Sequence, residues 1–264
     1  MIESEMDSAY ERYFTHENGR QESSGLTWDR KLFRAVKDNL YPPLRDELDF
    51  PARFLPAGKK GRLLDVGCGA GEMLTKVAGL GWRAEGIERD VRAVETARSR
   101  GLEVRAGSLT DQQYDAASFD AIMINHAIEH VHDPRSLLVE SRRILKNDGI
   151  LLVTTPNSSS LGHRLYGANW AHLDPPRHLY VFNPGAIRRL AESAGFGNLN
   201  ISTTARYAGF VFMASNAIQR CGKYEWTAVH SVGQRLYGRS CEFAEWALLK
   251  ARPNLGEEIL LQAR

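Results

Sequence analysis

The chain has 264 residues, of which 43% are hydrophobic, and this size and composition fit one large α/β domain with additions. Its 34 Lys and Arg residues nearly balance 32 Asp and Glu residues, and the charge pattern does not indicate binding to DNA. The three cysteines have no Cys-x-x-Cys spacing, and the N-terminus is acidic where a secretory signal would be basic and then apolar. We therefore expect a cytoplasmic protein with reduced thiols and no transmembrane segment.

Residues 1–56 are predicted to form a helical lid that precedes the core. Apolar residues follow Thr27 at helical spacing, and the helix is expected to end before Pro42 because a helix interior requires the backbone donor that proline lacks. A second short helix is predicted from Leu44 to Phe54. Two roles remain open for this region, closure over a ligand and simple packing on the core.

The segment from Arg62 to Leu74 predicts a strand, a tight turn and a helix. An apolar run is followed by glycines at alternate positions, Gly67, Gly69 and Gly71. Glycine permits positive φ and lets a ligand approach the backbone without meeting a Cβ atom. The spacing differs from the dinucleotide fingerprint and from the phosphate loop, so it favours an adenosine-like ligand without phosphate and argues against a nicotinamide-dependent oxidoreductase.

A second candidate ligand contact is Glu88, which ends the next predicted strand about 20 residues beyond the turn, where a carboxylate can bind both ribose hydroxyls. Apolar runs then alternate with helical patterns, which predicts a Rossmann-like, mostly parallel sheet with helices on both faces. The predicted strands are 62–66, 83–88, 102–105, 119–125, 149–155, 198–205 and 257–262, and the predicted helices lie near 71–80, 90–100, 134–145 and 184–194.

These segments resemble the class I S-adenosylmethionine-dependent methyltransferases, and in particular the ubiquinone-biosynthesis O-methyltransferase-like group. The resemblance covers the glycine turn, the strand end at Glu88, and residues 119–125, 129–134 and 145–157. It implies S-adenosylmethionine as the cofactor and a seven-stranded sheet with an antiparallel last strand. The cofactor contacts that it implies are Asp65, Gly67, Cys68, Gly69, Gly71, Glu88, Arg89, Ser108, Leu109 and Asn125.

The end of the fourth predicted strand brings His126, Glu129 and His130 to the carboxyl edge of the sheet, where open α/β folds bind ligands. Three interpretations remain open: a general base, a divalent-metal site and structural bracing of the loop. The segment resembles the Glu-x-x-Glu-His metal motif of ubiquinone-biosynthesis and small-RNA 2′-O-methyltransferases, with His126 replacing the first glutamate. His178 is the fourth candidate for catalysis and metal binding. The segment also matches an inverted zinc-protease motif, which its position at a strand end disfavours.

The connection from 157 to 183 carries more aromatic and ionisable residues than a connector requires, and we expect it to form the wall that contacts the methyl acceptor. The candidate acceptor contacts are Trp170, His172 and Tyr180, of which Trp170 and Tyr180 alternatively anchor the loop.

We divide the chain into the lid, a cofactor-binding core over 57–206, a helical insertion or cap over 207–255, and a final core strand over 256–264. The apolar part of the insertion is too short to span a membrane. Packing on the core, a dimer contact and a peripheral membrane contact remain open for it.

The sequence predicts a methyltransferase that moves a methyl group in line to the hydroxyl of a small molecule, with assistance from a His or Glu base or from a metal. Two alternatives are a non-enzymatic cofactor-binding subunit and an RNA-end 2′-O-methyltransferase. No basic strip supports binding to RNA. The chain is expected to be a monomer or a homodimer.

Overall fold

The computed structural model describes residues 52–56, 60–224 and 230–264. The predicted N-terminal lid therefore lies outside the described residues, except for a single 3₁₀ turn at Ala52–Phe54. The rest of the described chain alternates between strands and helices, as the sequence predicted.

A sheet of seven strands runs through the described residues. Its strands are β1 (Arg62–Val66), β2 (Arg83–Glu88), β3 (Val104–Ala106), β4 (Phe119–Asn125), β5 (Leu145–Pro156), β6 (Asn200–Thr204) and β7 (Glu258–Ala263). Their order in the sheet is β3-β2-β1-β4-β5-β7-β6, and β7 is antiparallel to both of its neighbours. The other pairs are parallel, which confirms the predicted fold class. The strand order reverses between β1 and β4, and open α/β sheets bind ligands at the carboxyl ends of such strands.

Helices cover both faces of this sheet. The α-helices of the described chain are α1 (Glu72–Gly79), α2 (Val91–Ser99), α3 (Pro134–Ile144), α4 (Leu161–Tyr166), α5 (Pro184–Ser193), α6 (Ala208–Cys221) and α7 (Val232–Leu249). Side chains cap several of their N-termini; Asn183, for example, accepts a hydrogen bond from the backbone of Ala186 at 2.8 Å and precedes a proline at the first helical position. The helix therefore begins where the sequence predicted.

The central strands are buried on both faces, as a parallel sheet between two helical layers requires. Successive residues Ile122, Met123 and Ile124 of β4 are all 0% exposed, and they contribute to clusters on opposite faces of the sheet. In strand β7 the successive residues Ile259, Leu260 and Leu261 are likewise 0% exposed. The sheet therefore forms a rigid base for residues at its carboxyl edge.

The segment between β6 and β7 contains α6 and α7, which pack against each other. Their backbones approach so closely that a Cβ atom on Gly238 would lie 2.6 Å from the carbonyl oxygen of Gly209. Neither helix, nor any other in the described chain, is long and apolar enough to cross a membrane.

Leu261→Ala removes a fully buried side chain from the face of β7 that packs against the main core cluster. We expect it to lower the free energy of unfolding by about 2–5 kcal/mol, because the lost burial leaves a cavity. Urea denaturation measures the change. The control is Leu165→Ala, whose side chain is 61% exposed and whose loss should change stability by less than about 0.5 kcal/mol. Equal losses in both variants would contradict this account of the core.

Candidate active site

A cavity of about 1520 Å³ opens at the carboxyl ends of β1, β2 and β4. One half is lined by the glycine turn and by the ends of β1 and β2. The other half is lined by histidines from the β4 end and the loop after β5, and by residues at the start of α6. We call them the cofactor half and the acceptor half.

The glycine turn has the backbone conformation that its sequence predicted. Gly67, Gly69 and Gly71 have φ values of 75°, 52° and 84°, a region that side chains disfavour. A Cβ atom on Gly67 would also lie 2.5 Å from the Cβ atom of Ala127, which follows β4. The turn can therefore pass close to β4 only because these positions are glycines.

The carboxylate of Glu88 is fixed by three backbone donors. It accepts hydrogen bonds from the amides of Gly69 at 2.8 Å, Arg89 at 2.7 Å and Asp90 at 3.0 Å. The first of these bonds joins the end of β2 to the glycine turn, and Glu88 itself lines the cavity. A carboxylate oxygen can accept more than one hydrogen bond, so Glu88 is suited to bind a diol such as ribose.

Two buried groups lie beneath the turn. Burial, and then the nearby charge of Glu88, raise the pKa of Asp65 to about 7. The thiol of Cys68 packs inward, because a Cβ atom on Gly86 would lie 2.5 Å from its Sγ atom. Burial raises the pKa of this thiol, so Cys68 has a packing role and is not an activated nucleophile.

Nine of the ten predicted cofactor contacts line the cavity, and Gly71 lies behind it as the N-cap of α1. Ser108 does not offer a free hydroxyl proton, because its Oγ donates to the Asp111 carboxylate at 2.6 Å. The side-chain carbonyl of Asn125 accepts a hydrogen bond from the Thr154 hydroxyl. These two side chains are therefore held in place before any ligand binds.

His126 lies between two buried carboxylates. Its Nε2 atom is 2.6 Å from Oε1 of Glu258, and its Nδ1 atom is 3.3 Å from Oε1 of Glu129. Burial alone would lower the pKa of His126, but the two carboxylates outweigh this effect and raise it to about 9. Both ring nitrogens of His126 therefore face carboxylates, and the raised pKa favours the protonated ring at neutral pH. The roles of His126 as a base or a metal ligand, which the sequence suggested, stay predictions.

Glu129, His130 and His178 do converge. One potential ligand atom from each residue lies within 4.8 Å of the others. Nδ1 of His130 is 3.0 Å from the carbonyl oxygen of Arg177, and Nδ1 of His178 is 2.6 Å from that of His172. Since a carbonyl oxygen only accepts, each Nδ1 carries a proton, and in the neutral form of the ring the Nε2 atom keeps its lone pair.

The charge state of these three residues fits a cation. Burial alone would raise the pKa of Glu129, but the neighbouring His126 outweighs it and lowers this pKa to about 2. Burial lowers the pKa of His178. Two imidazoles oriented by backbone carbonyls, together with one carboxylate, are a donor set that divalent metals such as Zn²⁺ favour. Three members of the predicted four-residue metal set therefore converge, and His126 is not part of this group.

The predicted acceptor contacts separate into two groups. His172 lines the cavity, and burial lowers its pKa to about 3, so this ring is neutral. Trp170 is only 1% exposed and donates its indole N–H to Glu257 at 2.8 Å, while the Tyr180 hydroxyl donates to the carbonyl of His132 at 2.9 Å. Neither aromatic residue lines the cavity, and both anchor the loop.

Residues that the sequence analysis missed complete the acceptor half. Arg206, Tyr207 and Phe210, at the start of α6, all line the cavity. The buried carboxylate of Glu258, outside the lining, accepts a hydrogen bond from the Arg206 guanidinium at 3.0 Å. An acidic residue in an otherwise apolar strand is the signal that could have drawn attention to Glu258, because a buried charge needs a partner.

The strand order, the glycine turn and the acidic end of β2 define the class of S-adenosylmethionine-dependent methyltransferases. Residues 31–201, more than half of the chain, match the family model described as a methyltransferase domain. The chain therefore belongs to this family, and it is a class I S-adenosylmethionine-dependent methyltransferase.

Several relatives are named ubiquinone biosynthesis O-methyltransferase. The protein from Maricaulis maris is 31% identical over 149 residues, which cover 51% of this chain and 58% of that protein. The protein from Chromobacterium violaceum is 30% identical over 184 residues, which cover 63% and 78%. The chain spans about half to two thirds of the length of the first relatives that it matches.

A solved methyltransferase from Thermotoga maritima, described as a possible histamine N-methyltransferase, superimposes with a TM-score of 0.56. It is 21% identical, and the match covers 89% of this chain and 95% of that one. This similarity shows the fold alone.

Glu88→Gln tests the cofactor half. The amide keeps the size of the side chain but loses the charge that strengthens its hydrogen bonds, so we expect at least about tenfold weaker binding of S-adenosylhomocysteine by calorimetry. The matched control is Glu85→Gln in the same strand, where the carboxylate pairs with Arg62 at 2.6 Å and does not line the cavity. Unchanged affinity in Glu88→Gln would remove this residue from the cofactor site.

The raised pKa of His126 also predicts that the stability of the protein depends on pH. Because its pKa rises from 6.5 to about 9 on folding, its stabilising contribution is complete below pH 6.5 and is lost as the pH rises through 9. We expect the stability difference between wild type and His126→Asn to shrink by about 3 kcal/mol between pH 6 and pH 10. Urea denaturation at a series of pH values measures it. A difference that stays constant with pH would show that His126 is not held as a cation.

Proposed function

We propose that this methyltransferase transfers a methyl group to the hydroxyl oxygen of a small molecule, and that the acceptor oxygen lies beside Glu129, His130 and His178. The observation that carries the proposal is that His130 and His178 line the acceptor half of the same cavity whose other half contains the glycine turn and Glu88, and that the buried Glu129 converges with them. Cofactor and acceptor can therefore meet within one cavity.

Positioning accounts for most of the expected rate. S-adenosylmethionine supplies a methyl group bonded to a sulfonium sulfur, and this sulfur leaves readily as a neutral thioether. The glycine turn and Glu88 hold this donor, while the acceptor half orients the hydroxyl for attack in line with the bond that breaks. Holding two reactants in such a geometry contributes about 7–11 kcal/mol in favourable cases.

The hydroxyl must also lose its proton. The Nε2 lone pairs of His130 and His178 are suited to accept it, because both Nδ1 atoms are already engaged as donors. The same three residues would hold a divalent cation, whose chemistry when bound is to polarise a hydroxyl and ease its deprotonation. A hydroxyl gains more from either arrangement than an amine or a thiol does, which favours oxygen as the acceptor.

The names of the relatives agree with this choice. Relatives from Maricaulis maris and Chromobacterium violaceum are named O-methyltransferases, at 31% and 30% identity. These matches cover only part of each chain, so the similarity supports oxygen as the acceptor atom without identifying the acceptor molecule.

The test is an assay with a panel of phenols, catechols, sugars, amines and thiols and a methyl-labelled donor, followed by analysis of which atom carries the label. We expect label on oxygen. His130→Asn and His178→Asn should each lower kcat by about 100-fold or more while the affinity for S-adenosylhomocysteine stays unchanged. His230→Asn is the control, since this histidine pairs with Tyr224 and does not line the cavity.

Two outcomes would contradict the proposal: label on nitrogen or sulfur only, or full activity in both histidine variants. A parallel assay with chelator-treated enzyme, before and after addition of Mg²⁺, Mn²⁺ or Zn²⁺, separates the two roles of the residues. Activity that is lost with chelator and returns only with a cation indicates metal assistance. Activity that is unchanged by the chelator and by the added cations indicates a histidine base.

A further inference from the structure

Glu258 is a charged residue type at a fully buried strand position, which a role in the strand alone does not explain. It is the first residue of β7, it is 0% exposed, and its backbone pairs with Pro156 of β5 on one side and Thr204 of β6 on the other. Pro156 lines the cavity, whereas Glu258 does not. A carboxylate therefore lies directly behind the wall of the acceptor half.

One oxygen of this carboxylate contacts both a histidine and an arginine side chain. Oε1 is 2.6 Å from Nε2 of His126 and accepts a hydrogen bond from the Arg206 guanidinium at 3.0 Å, while Oε2 is 3.4 Å from the Thr204 hydroxyl. A buried charge is costly unless it is paired and hydrogen-bonded. Glu258 meets this requirement through groups that come from β4 and from the start of α6.

Both partners of Glu258 line the cavity and make a further contact. His126 contacts the buried Glu129 through its other ring nitrogen, at 3.3 Å. Arg206 donates to the Tyr207 hydroxyl at 2.6 Å and lies 4.3 Å from the centre of the Tyr207 ring. We call the five side chains Glu129, His126, Glu258, Arg206 and Tyr207 the acceptor clamp.

Two members of the clamp have backbone conformations that need support. His126 has a φ of 50° and Tyr207 has a φ of 64°, and both line the cavity. Non-glycine residues persist in this region only when their surroundings hold them there, and such residues cluster at functional sites. The two rings lie 5.9 Å apart. Glu258 is the group that connects the side chain of one with the guanidinium that holds the other.

Carboxylates and nitrogen groups alternate along the clamp. Carboxylate, imidazole, carboxylate and guanidinium follow one another, at N–O distances of 3.3, 2.6 and 3.0 Å. Buried polar networks become rigid through such contacts, because moving one member leaves another without its partner. The clamp is therefore suited to fix geometry.

We propose that Glu258 is a positioning residue for methyl transfer, which acts through His126 and Arg206 to fix the two walls of the acceptor half. The proposal rests on the proposed function in one respect, namely that the acceptor binds in this half of the cavity. It does not depend on whether the methylated atom is oxygen.

The test compares Glu258→Gln and Glu258→Leu with wild type. Gln keeps an oxygen that can accept both hydrogen bonds but removes the charge, and Leu removes the bonds. We expect kcat to fall by about tenfold in the first and by about 100-fold or more in the second, with unchanged affinity for S-adenosylhomocysteine. In a His126→Asn background, the effect of Glu258→Gln should largely disappear, because residues that act through one another are not additive.

Glu245→Gln is the matched control. Glu245 is also 0% exposed, and its carboxylate accepts a hydrogen bond at 2.8 Å from the backbone amide of Glu257, the residue before β7. It does not line the cavity and is not a member of the clamp. We expect it to alter stability and to leave kcat unchanged. If Glu245→Gln lowers kcat as much as Glu258→Gln does, Glu258 has only a structural role and the proposal is wrong.

A measurement without acceptor keeps this test separate from that of the proposed function. In ¹⁵N-histidine NMR spectra, the proton on His126 Nε2 should be protected from solvent exchange in wild type and exposed in Glu258→Leu. An unprotected proton in wild type, or additive effects in the His126→Asn background, would overturn the clamp. If the label is found on nitrogen, the proposed oxygen chemistry fails, and the kcat values for that acceptor still decide the role of Glu258.

Discussion

The buried carboxylate of Glu129 is the constraint on which the acceptor half depends. It is 0% exposed, and its charge is balanced by His126 and by a hydrogen bond from the Thr155 hydroxyl at 3.0 Å. Its backbone carbonyl accepts hydrogen bonds from Leu179 and Tyr180, so the same residue also fixes the loop that carries His178. An unpaired charge at this depth would be costly. The requirement to pair it therefore determines where the loop and the end of β4 lie.

The two halves of the cavity are built in different ways. In the cofactor half, Glu88 and Gly69 are 19 residues apart and belong to one strand-turn-helix-strand unit. In the acceptor half, His126 and Glu258 are 132 residues apart and meet only because β7 inserts between β5 and β6. The first half follows from a local backbone rule, whereas the second requires the whole sheet to form. The geometry of the acceptor half is thus coupled to the integrity of the last strand.

This difference explains how much the sequence could predict. The seven-stranded, mostly parallel sheet and its antiparallel last strand followed from alternating patterns and from the family resemblance, and the structure confirms them. The acceptor half was harder to predict, because residue type alone does not show whether an aromatic side chain lines a cavity or anchors a loop. Trp170 is bound by Glu257 and does not line the cavity, whereas Tyr207 does. Likewise, the sequence shows His126 as a titratable ring, but not the second carboxylate that holds it as a cation.

The separation of roles among the histidines has a chemical consequence. Burial alone would raise the pKa of Glu129, but His126 lowers it to about 2, and this carboxylate lies beside His130 and His178. A carboxylate without that neighbour would have a raised pKa because of its burial, and it would be a poorer ligand and a poorer partner for a hydroxyl. His126 therefore influences the electrostatics of the site through Glu129. The histidine that the motif presents first contacts two carboxylates, whereas His130 and His178 each contact a backbone carbonyl through Nδ1 and line the cavity.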